Sequence, residues 1–464
     1  MNRSSLKKNY AFEIVKCLNS AGFKAYIVGG AVRDMVMGGE PKDYDIATNA
    51  SISDIERLFE KVYPVGRQFG VNLVVIDDEP YEIALFRRDG VYKDGRRPSG
   101  IEPADPVDDA GRRDFTINAL FYDPVKDKVI DHVGGLKDIK KRIIRAVGNP
   151  DDRLSEDRLR MLRAVRFAAR FSFTIEPSTA RAVRENAYKV HDVSAERIGA
   201  ELLEIFSGPN TGYALTLLDE TNLLLEVLPE VCAMKGIEQP SEYHPEGDVF
   251  EHTRDMLELF NGGTASLAFG ILFHDIAKPA TMTRTDRIRF HHHAETGAVT
   301  AGRILKRLRF KNNTVARVQV LVRNHMHFID VRKMRLSRLR RFISQEGFDE
   351  MLELHRLDSL ASNGNMSNYE FLKNLIDNEK LHQNISPPLL TGHDLIELGY
   401  EPGPVFSKIL RMAEDMQLEG KFETKEDAKD FVLREFSLQT HQQNRKLKNN
   451  RPDSPESRDA EQNT

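Results

Sequence analysis

The amino-acid sequence predicts an α+β protein: an α/β head with a mixed sheet, then an all-helical neck, a helical body and a small helical tail module. Two observations predict this architecture. Short β-type runs alternate with turn residues up to about residue 145, and from about residue 155 apolar residues recur at helical spacing. The length of 464 residues suits about two to four domains. The predicted segments are a head (1–145), a neck (146–235), a body (236–380), a tail module (381–437) and a disordered tail (438–464).

The composition excludes several classes of protein. The 67 basic and 71 acidic residues leave a net charge of −4, which argues against non-specific binding of polyanions, so any nucleic-acid surface must be a local basic patch. Two cysteines, Cys17 and Cys232, exclude a disulfide framework and indicate a reducing compartment. The longest apolar stretch, 266–273, is shorter than the roughly 20 residues of a membrane span. Without a signal-peptide pattern at the start, we expect a cytoplasmic protein with no membrane partner.

Three β-type runs define the head. The run 24–28 ends at Gly29-Gly30, and the run 71–76 lies between Gly70 and two aspartates. The run 81–86 alternates apolar and polar residues with period two. These runs predict strands of one mixed sheet.

The turn after the first strand has the features of a phosphate cradle. Gly29 and Gly30 follow a predicted strand and open a predicted helix, where free N–H groups bind anions. Arg33, one turn later, can add a bidentate phosphate contact. The alternative is an ordinary strand-to-helix turn that needs glycine. The pattern matches neither the Walker nor the dinucleotide-binding fingerprint.

A pair of aspartates follows ten residues later. In a strand, Asp43 and Asp45 would point to the same face about 6.5–7 Å apart. Carboxylates so placed suit Mg²⁺ bound together with substrate phosphates, as two-metal phosphoryl transfer requires. The alternative is a solvated pair at a strand edge. Glu82 on the run 81–86 can supply a third carboxylate, or it is simply the polar half of an amphipathic strand.

Together these motifs resemble the class II tRNA nucleotidyltransferase and bacterial poly(A) polymerase family. The resemblance rests on the segments 26–34, 42–46, 81–87, 94–98, 112–119 and 156–160, in that order. It implies template-independent addition of nucleotides from CTP and ATP to an RNA 3′ end, with Mg²⁺ on the carboxylates of the head. The segment 94–97 resembles the flexible loop with which A-adding members change base preference, which argues against a CC-only enzyme.

A second motif of the family suggests how a base is chosen. Asp157 and Arg160 are three residues apart in a helical stretch and therefore neighbours on one face. A carboxylate accepts from the exocyclic amine of C or A, and a guanidinium donates to the adjacent acceptor. Spacing alone fits an intrahelical ion pair equally well, but the resemblance favours base selection. Arg163 and Arg166 hold the positions of the family's nucleotide-site arginines, although an arginine stripe can also be a solvated face.

The segment 112–119 adds further candidates. Arg112 and Arg113 can neutralise triphosphate charge, and the sequence does not separate their roles. Asp114 and Asn118 can contact the ribose or a metal.

Histidines cluster in the body. The stretch 272–278 places His274 and Asp275 directly after an apolar run, which resembles the HD phosphohydrolase superfamily. The resemblance implies a divalent metal on His252, His274, Asp275 and Asp358, with His293 and His325 completing a second site. Imidazole and carboxylate ligands suit Ni, Mn, Co, Fe or Zn. One interpretation is that this metal site hydrolyses phosphoesters. The alternative is that the HD fold serves only to dock RNA.

These observations predict an enzyme that adds CCA to the 3′ end of tRNA, with tRNA, CTP and ATP as partners and HD-domain repair activity in addition. A poly(A) polymerase and an A-adding-only enzyme are the alternatives within the family. A non-catalytic RNA-binding module is the alternative of another class. The sequence identifies no protein partner.

Overall fold

The computed structural model describes residues 3–66, 70–90, 100–240, 247–379 and 387–436. The predictions for the flexible loop at 94–97 and for the disordered tail at 438–464 therefore lie outside the described residues. The chain divides into two compact units. The first comprises Met1–His325 and Arg356–Gly364, and the second comprises Met326–His355 and Asn365–Thr464.

The head contains a seven-stranded mixed sheet, as predicted. Its order is β3-β4-β5-β2-β1-β8-β9; β2 and β5 pair in parallel, and the other neighbours are antiparallel. The strands of this sheet are β1 (Ala25–Val28), β2 (Asp45–Thr48), β3 (Val62–Gly66), β4 (Val71–Ile76), β5 (Glu79–Leu85), β8 (Leu120–Asp123) and β9 (Lys128–Asp131). Two further strands, β6 (Arg87–Asp89) and β7 (Ile101–Pro103), pair with each other in a separate sheet. The helices are α1 (Arg3–Ser20), α2 (Gly30–Val36), α3 (Ile52–Leu58), α4 (Pro106–Gly111) and α5 (Gly135–Lys141).

One face of this sheet is buried in the main core of the head. Ile27, Ile46 and Ile83 are fully buried there together with Ile14 and Leu18 of α1. Each such side chain stabilises the fold by about 1.5–3 kcal/mol. Because successive side chains of a strand alternate between faces, the residues next to Ile46 and Ile83 point away from this core.

The neck is helical, with one small exception to the prediction. It contains α6 (Pro150–Glu156), α7 (Arg160–Phe171), α8 (Pro177–Asn186), α9 (Ala195–Phe206), α10 (Thr211–Glu220), α11 (Leu223–Val227) and α12 (Pro229–Cys232). The exception is a parallel two-residue pair between β10 (Ile143–Ile144) and β11 (Thr174–Ile175). Three isoleucines and a threonine form it, and β-branched residues favour strands.

The prediction of one helix through residues 157–160 is wrong. α6 ends at Glu156, Asp157 is extended (φ −142°, ψ 105°), and α7 begins at Arg160. The Asp157 carboxylate accepts from the Leu159 N–H at 3.2 Å, and the Asp157 carbonyl accepts from the Arg160 N–H at 2.9 Å. Aspartate competes in this way with helix continuation and favours helix starts. Asp157 and Arg160 therefore do not share a face of one helix.

The remaining elements are mainly helical. They are α13 (Val249–Leu259), α14 (Ala265–Phe273), α15 (Lys278–Thr281), the hairpin of β12 (Met282–Arg284) and β13 (Ile288–Phe290), α16 (His293–Arg307), α17 (Asn312–Asn324), α18 (Leu336–Ile343), α19 (Phe348–Ala361), α20 (Ser367–Glu379), α21 (Gly392–Glu397), α22 (Pro404–Leu418) and α23 (Lys425–Glu435). Within the second unit, Leu395, Ile409 and Phe431 form a core of α21, α22 and α23. Among the described residues, no helix is long and apolar enough to cross a membrane.

Candidate functional site

Three carboxylates lie close together in the head sheet, where β2 begins beside β5. The parallel register pairs Ile46 of β2 with Ile83 of β5, which sets Asp45 beside Glu82. Asp43 lies two residues before Asp45, just outside the strand, and its carboxylate is 73% exposed. The pKa of Asp45 is raised, first because surrounding protein removes part of its hydration and second because Glu82 and Asp43 add negative charge. A group of carboxylates that repel one another in this way can hold divalent cations.

The glycine turn lies between β1 and α2. Gly29 has φ 72° and ψ −134°, a conformation that is essentially restricted to glycine, and α2 begins at Gly30. A Cβ on Gly29 would lie 2.8 Å from Nη1 of Arg113, so this guanidinium rests against the turn. The turn combines helix N–H groups with a positive charge, as an anion site requires.

The structure places Arg33 beneath this turn, where it is buried. Its guanidinium donates to Oδ1 of Asp34 at 2.7 and 2.9 Å and to Oδ1 of Asn118 at 2.5 Å, and it lies 4.6 Å from the ring centre of Phe171. Burial lowers its pKa, opposed by Asp34. In this structure the guanidinium thus packs on Phe171 and bonds within the protein, and its phosphate contact stays a prediction.

The two adjacent arginines occupy different places although they share one partner. The buried carboxylate of Asp109 accepts from Arg112 at 2.7 and 2.9 Å and from Arg113 at 3.1 Å. Arg113 also donates to the Asn118 carbonyl at 3.2 Å, and its charge opposes the rise in the pKa of Asp45. Arg112 instead lines a cleft of about 590 Å³ together with Asp89. Sequence reasoning missed Asp109, although its spacing of three and four from the arginines was a usable signal.

A chain of hydrogen bonds joins the neck to the glycine turn. Oδ2 of Asp114 accepts from Nε and Nη2 of Arg163 at 2.9 and 2.7 Å. Oδ1 of Asp114 accepts from Nδ2 of Asn118 at 3.1 Å, and Oδ1 of Asn118 accepts from Arg33. Burial alone would raise the pKa of Asp114, but Arg163 and the hydrogen bond from Asn118 keep it below its ordinary value. The predicted residues Asp114, Asn118 and Arg163 thus form one network.

In the predicted base-selecting pair, the two side chains bond to other groups and not to each other. Oδ2 of Asp157 accepts from Nη2 of Arg197 at 2.8 Å. Arg160 donates to Oε2 of Glu156 at 2.5 Å and to the carbonyls of Arg153 and Arg112 at 2.7 and 3.2 Å. The break between α6 and α7 gives each member of the pair its own partner.

Arg166, the last predicted arginine of the neck, pairs with the carboxylate of Glu201, whereas Arg163 pairs with Asp114. Its Nε lies 3.0 Å from Oε1 of Glu201, which is buried. Burial lowers the pKa of Arg166 and raises that of Glu201, and the opposite charge of each partner counteracts the shift. This pair joins α7 to α9.

A second cluster, the HD cluster, lies in the first unit. Two overlapping groups have potential ligand atoms within 4.8 Å of one another: His252, His274 and Asp275, and Asp275, His293 and His325. Nε2 of His274 lies 3.0 Å from Oδ2 of Asp275, and Nε2 of His252 lies 3.1 Å from Oδ1 of Asp358. All six residues of the predicted HD site therefore come together around Asp275.

The histidine rings are oriented for metal binding. Nδ1 of His274, His293 and His325 lies 2.7–2.8 Å from the carbonyl oxygen three residues earlier in each case. Donation from Nδ1 leaves the lone pair of Nε2 free to face the cluster. Burial lowers the pKa of His293 to about 4, so its imidazole is neutral at pH 7. Nε2 of His274 and Oδ1 of Asp275 are buried, and neither makes a well-aligned hydrogen bond with the described residues, which fits a metal between them.

The structure also separates the three consecutive histidines. His293 begins α16 and is buried in the HD cluster, whereas His291 and His292 are exposed. His292 has φ 57°, a left-handed conformation that favours glycine. The buried Lys278, whose Nζ lies 2.6 Å from Oδ2 of Asp275, adds a positive charge beside the cluster.

Three known domain families match the chain. The poly A polymerase head domain matches residues 25–145, the probable RNA and SrmB-binding site of polymerase A matches residues 172–235, and the HD domain matches residues 249–356.

Curated relatives match about half of the chain. The CCA-adding enzyme of Bacillus licheniformis is 41% identical over 218 residues, which are 47% of this chain and 55% of that protein. The CCA-adding enzyme of Bacillus velezensis is 40% identical over 230 residues, which are 49% and 57% of the two chains. The chain thus spans about half the length of the curated relatives it matches.

Solved structures share the fold over nearly the whole chain. The Bacillus stearothermophilus CCA-adding enzyme, solved in complex with CTP, superposes with a TM-score of 0.71 at 24% identity and covers 97% of this chain and 100% of that one. The Thermotoga maritima CCA-adding enzyme, solved with tRNA, gives a TM-score of 0.62 at 20% identity, with coverages of 94% and 97%. These findings confirm the predicted fold class and the resemblance drawn from the motifs.

Proposed function

We propose that this chain, which has the domains and the fold of the CCA-adding enzymes, adds CCA from CTP and ATP to the 3′ end of tRNA. One observation supports this most directly: Asp43, Asp45 and Glu82 lie close together where β2 begins beside β5. Arg113, whose charge acts on Asp45, also lies against the glycine turn. A site for divalent cations and a site for a triphosphate therefore share this arginine.

In the proposed reaction, the 3′ oxygen of tRNA bonds to the α-phosphorus of the nucleotide, and the bond to pyrophosphate breaks. Asp43 and Asp45, with Glu82 beside them, would hold Mg²⁺, which supplies activation of the attacking oxygen and stabilisation of the leaving group. The N–H groups that follow Gly29 and Gly30, together with Arg113, would bind the triphosphate. Arg33 and Asn118 would fix the turn from below.

Base choice would depend on Asp157 and Arg160. The Asp157 carboxylate accepts an exocyclic amine, which C and A have and which U and G lack at the corresponding edge. Nε–H of Arg160 makes no hydrogen bond with any residue in the described part of the chain, and can donate to the ring acceptor. Arg163 and Arg166, each paired with an acid, would support this edge and contact the nucleotide.

Incubation with defined tRNA ends tests the proposal. tRNA ending at the discriminator base, at C or at CC is given each nucleotide separately and then all together with Mg²⁺. Products that end in CCA support the proposal. Long A tracts would identify a poly(A) polymerase, and addition of A alone an A-adding enzyme. No incorporation at all would favour a non-catalytic RNA-binding module.

We also propose phosphohydrolase activity for the HD cluster. His252, His274, Asp275 and Asp358 would hold a transition metal such as Ni, Mn, Co, Fe or Zn, and His293 with His325 would complete a second position beside Asp275. A metal there lowers the pKa of water and supplies a nucleophile for phosphoester hydrolysis. Removal of 2′-phosphates and 2′,3′-cyclic phosphates from tRNA ends by protein with Ni²⁺ or Mn²⁺ tests this. Intact phosphates alongside active CCA addition would contradict it.

We place both activities in the cytoplasm. Cys17 and Cys232 are free thiols, as a reducing compartment allows. Fractionation of cells that produce the full-length protein, followed by detection in the soluble fraction, checks this location. Recovery with the membranes would contradict it.

A further inference from the structure

We infer that Arg197 is a positioning residue for base choice, because it holds the carboxylate of Asp157 in the orientation that reads the base. This inference rests on the proposed function, in which Asp157 accepts the exocyclic amine of CTP or ATP. Arg197 lies in the first turn of α9, forty residues along the chain from Asp157. Its role was therefore not visible in the motif that contains Asp157.

Asp157 needs an external support because its backbone gives it none. It lies in the extended break between α6 and α7, so no helix fixes the direction of its side chain. Two donors hold the carboxylate instead: the Leu159 N–H on Oδ1 at 3.2 Å and Nη2 of Arg197 on Oδ2 at 2.8 Å. The Leu159 bond is local and moves with the break, whereas Arg197 ties Asp157 to a separate helix.

The held carboxylate can still read a base. Each carboxylate oxygen has two lone-pair sites, so one donor on each oxygen leaves room for an amine. The Asp157 and Arg197 side chains are 21% and 23% exposed, which keeps the pair partly accessible from solvent. A fixed carboxylate faces the carbonyl oxygen of UTP with an unfavourable contact, but a carboxylate that is free to rotate can avoid it. Discrimination between CTP and UTP therefore depends on how firmly Arg197 holds the Asp157 carboxylate.

Arg160 is supported in a comparable way from the other side. Glu156 and two backbone carbonyls hold its guanidinium before any nucleotide arrives. Both members of the pair are thus fixed by groups other than each other. Preorganised polar groups that are left unpaired against a wrong substrate give strong discrimination.

A neighbouring ion pair provides a matched control. Arg158, also in the break, pairs with Asp192 just before α9. This contact joins the same two segments but does not touch the Asp157 carboxylate. Asp192→Asn therefore weakens the connection between the break and α9 while leaving Asp157 and Arg197 in place.

The experiment measures kcat/KM for CTP and for UTP with tRNA ending in C, using the full-length protein. We expect Arg197→Ala to lower the CTP/UTP ratio about tenfold or more, as loss of a hydrogen bond to a charged group implies. Arg197→Lys, which keeps the charge and one donor, should restore most of the ratio. Asp192→Asn should leave it within about twofold of the wild-type value.

The wild-type protein is measured first on the same tRNA. A wild type that adds no C refutes the proposed function, whereas a selective wild type and a folded Arg197→Ala with an unchanged ratio refute only the role of Arg197. Circular dichroism melting reports whether each variant is folded. If Arg197→Ala does not fold, Arg197→Met, which keeps the length of the side chain and removes its donors, takes its place, and an unchanged CTP/UTP ratio in folded Arg197→Met overturns the inference.

Discussion

At the scale of single residues, the environment of each side chain decides what it can do. Arg112 and Arg113 are adjacent and share Asp109, but only Arg113 rests against the glycine turn. Arg33 holds a motif position that suggests a phosphate ligand, but its side chain is buried in this structure. Residue type and spacing identify candidates, and the packing around them assigns their positions.

Asp45→Asn should reduce addition of C to tRNA by about a thousandfold or more, because loss of a metal ligand removes several kcal/mol of transition-state stabilisation. tRNA binding, measured by filter retention, should remain within a few-fold. Asp78→Asn is the matched control, since Asp78 occupies a turn with φ 62° that asparagine tolerates. Equal activity in the two variants would rule out the role of Asp45.

Glu176 provides a prediction about stability and pH. It caps α8, and although burial opposes ionisation, hydrogen bonds from Ser178 and Thr179 lower its pKa to about 2 from an ordinary 4.5. A lowered folded-state pKa stabilises the fold above the unfolded-state pKa, and this contribution is lost as the pH falls through the folded value. The stabilising contribution of the ionised Glu176 is therefore fully present above about pH 5.5 and declines toward pH 2.

Glu176→Gln should accordingly cost about 1–3 kcal/mol in the free energy of unfolding at pH 7. The difference from the wild type should shrink steadily below about pH 5.5. Urea unfolding at several pH values measures it. A difference that stays constant down to pH 3.5 would show that the charge of Glu176 contributes nothing.

At the scale of elements, the sequence predicted strands better than helix boundaries. The run 81–86 correctly contained a strand that carries Glu82, whereas β2 begins only at Asp45, so Asp43 lies outside the strand in which the pair was expected. The break at Asp157 was missed because neither glycine nor proline marks it, and its cause is a local hydrogen bond. Arg197 could not be predicted either, since its contact depends on how α9 packs beside α7.

The glycine turn at the start of α2 gives a prediction at this scale. Gly29→Ala should cost about 1–3 kcal/mol in stability from backbone strain and should also displace Arg113, so the KM for CTP should rise. Gly38→Ala, at the other end of α2, is the control, because its φ is 79° but nothing lies within 4 Å of an added Cβ. The Gly38→Ala variant should lose stability, but its KM for CTP should stay unchanged.

Chemical unfolding measures the stability of both glycine variants, and steady-state kinetics measures their KM for CTP. A rise in KM of the same size in both variants would show that strain in α2, rather than the position of Arg113, is responsible.

At the scale of the whole molecule, the division into two units affects how metal binding is detected. All six residues of the HD cluster belong to the first unit. Mn²⁺ or Ni²⁺ at about 100 times its Kd should stabilise that unit by about 2.7 kcal/mol. In a thermal scan, the transition of the first unit should therefore shift upward while that of the second does not.

His274→Ala should abolish this shift, whereas His291→Ala, which changes an exposed neighbour of the cluster, should preserve it. Differential scanning calorimetry with and without a chelator measures both. An undiminished shift in His274→Ala would mean that the metal binds elsewhere.

The segment that carries Asp358 has a consequence for biosynthesis. The chain leaves the first unit after His325 and returns to it at Arg356, thirty-one positions later. On the ribosome, the sheet with Asp43, Asp45 and Glu82 can therefore be complete long before the last acidic member of the histidine cluster emerges. A nascent or prematurely terminated chain that stops near residue 325 would carry the complete head sheet, whereas its histidine cluster would still lack the carboxylate of Asp358.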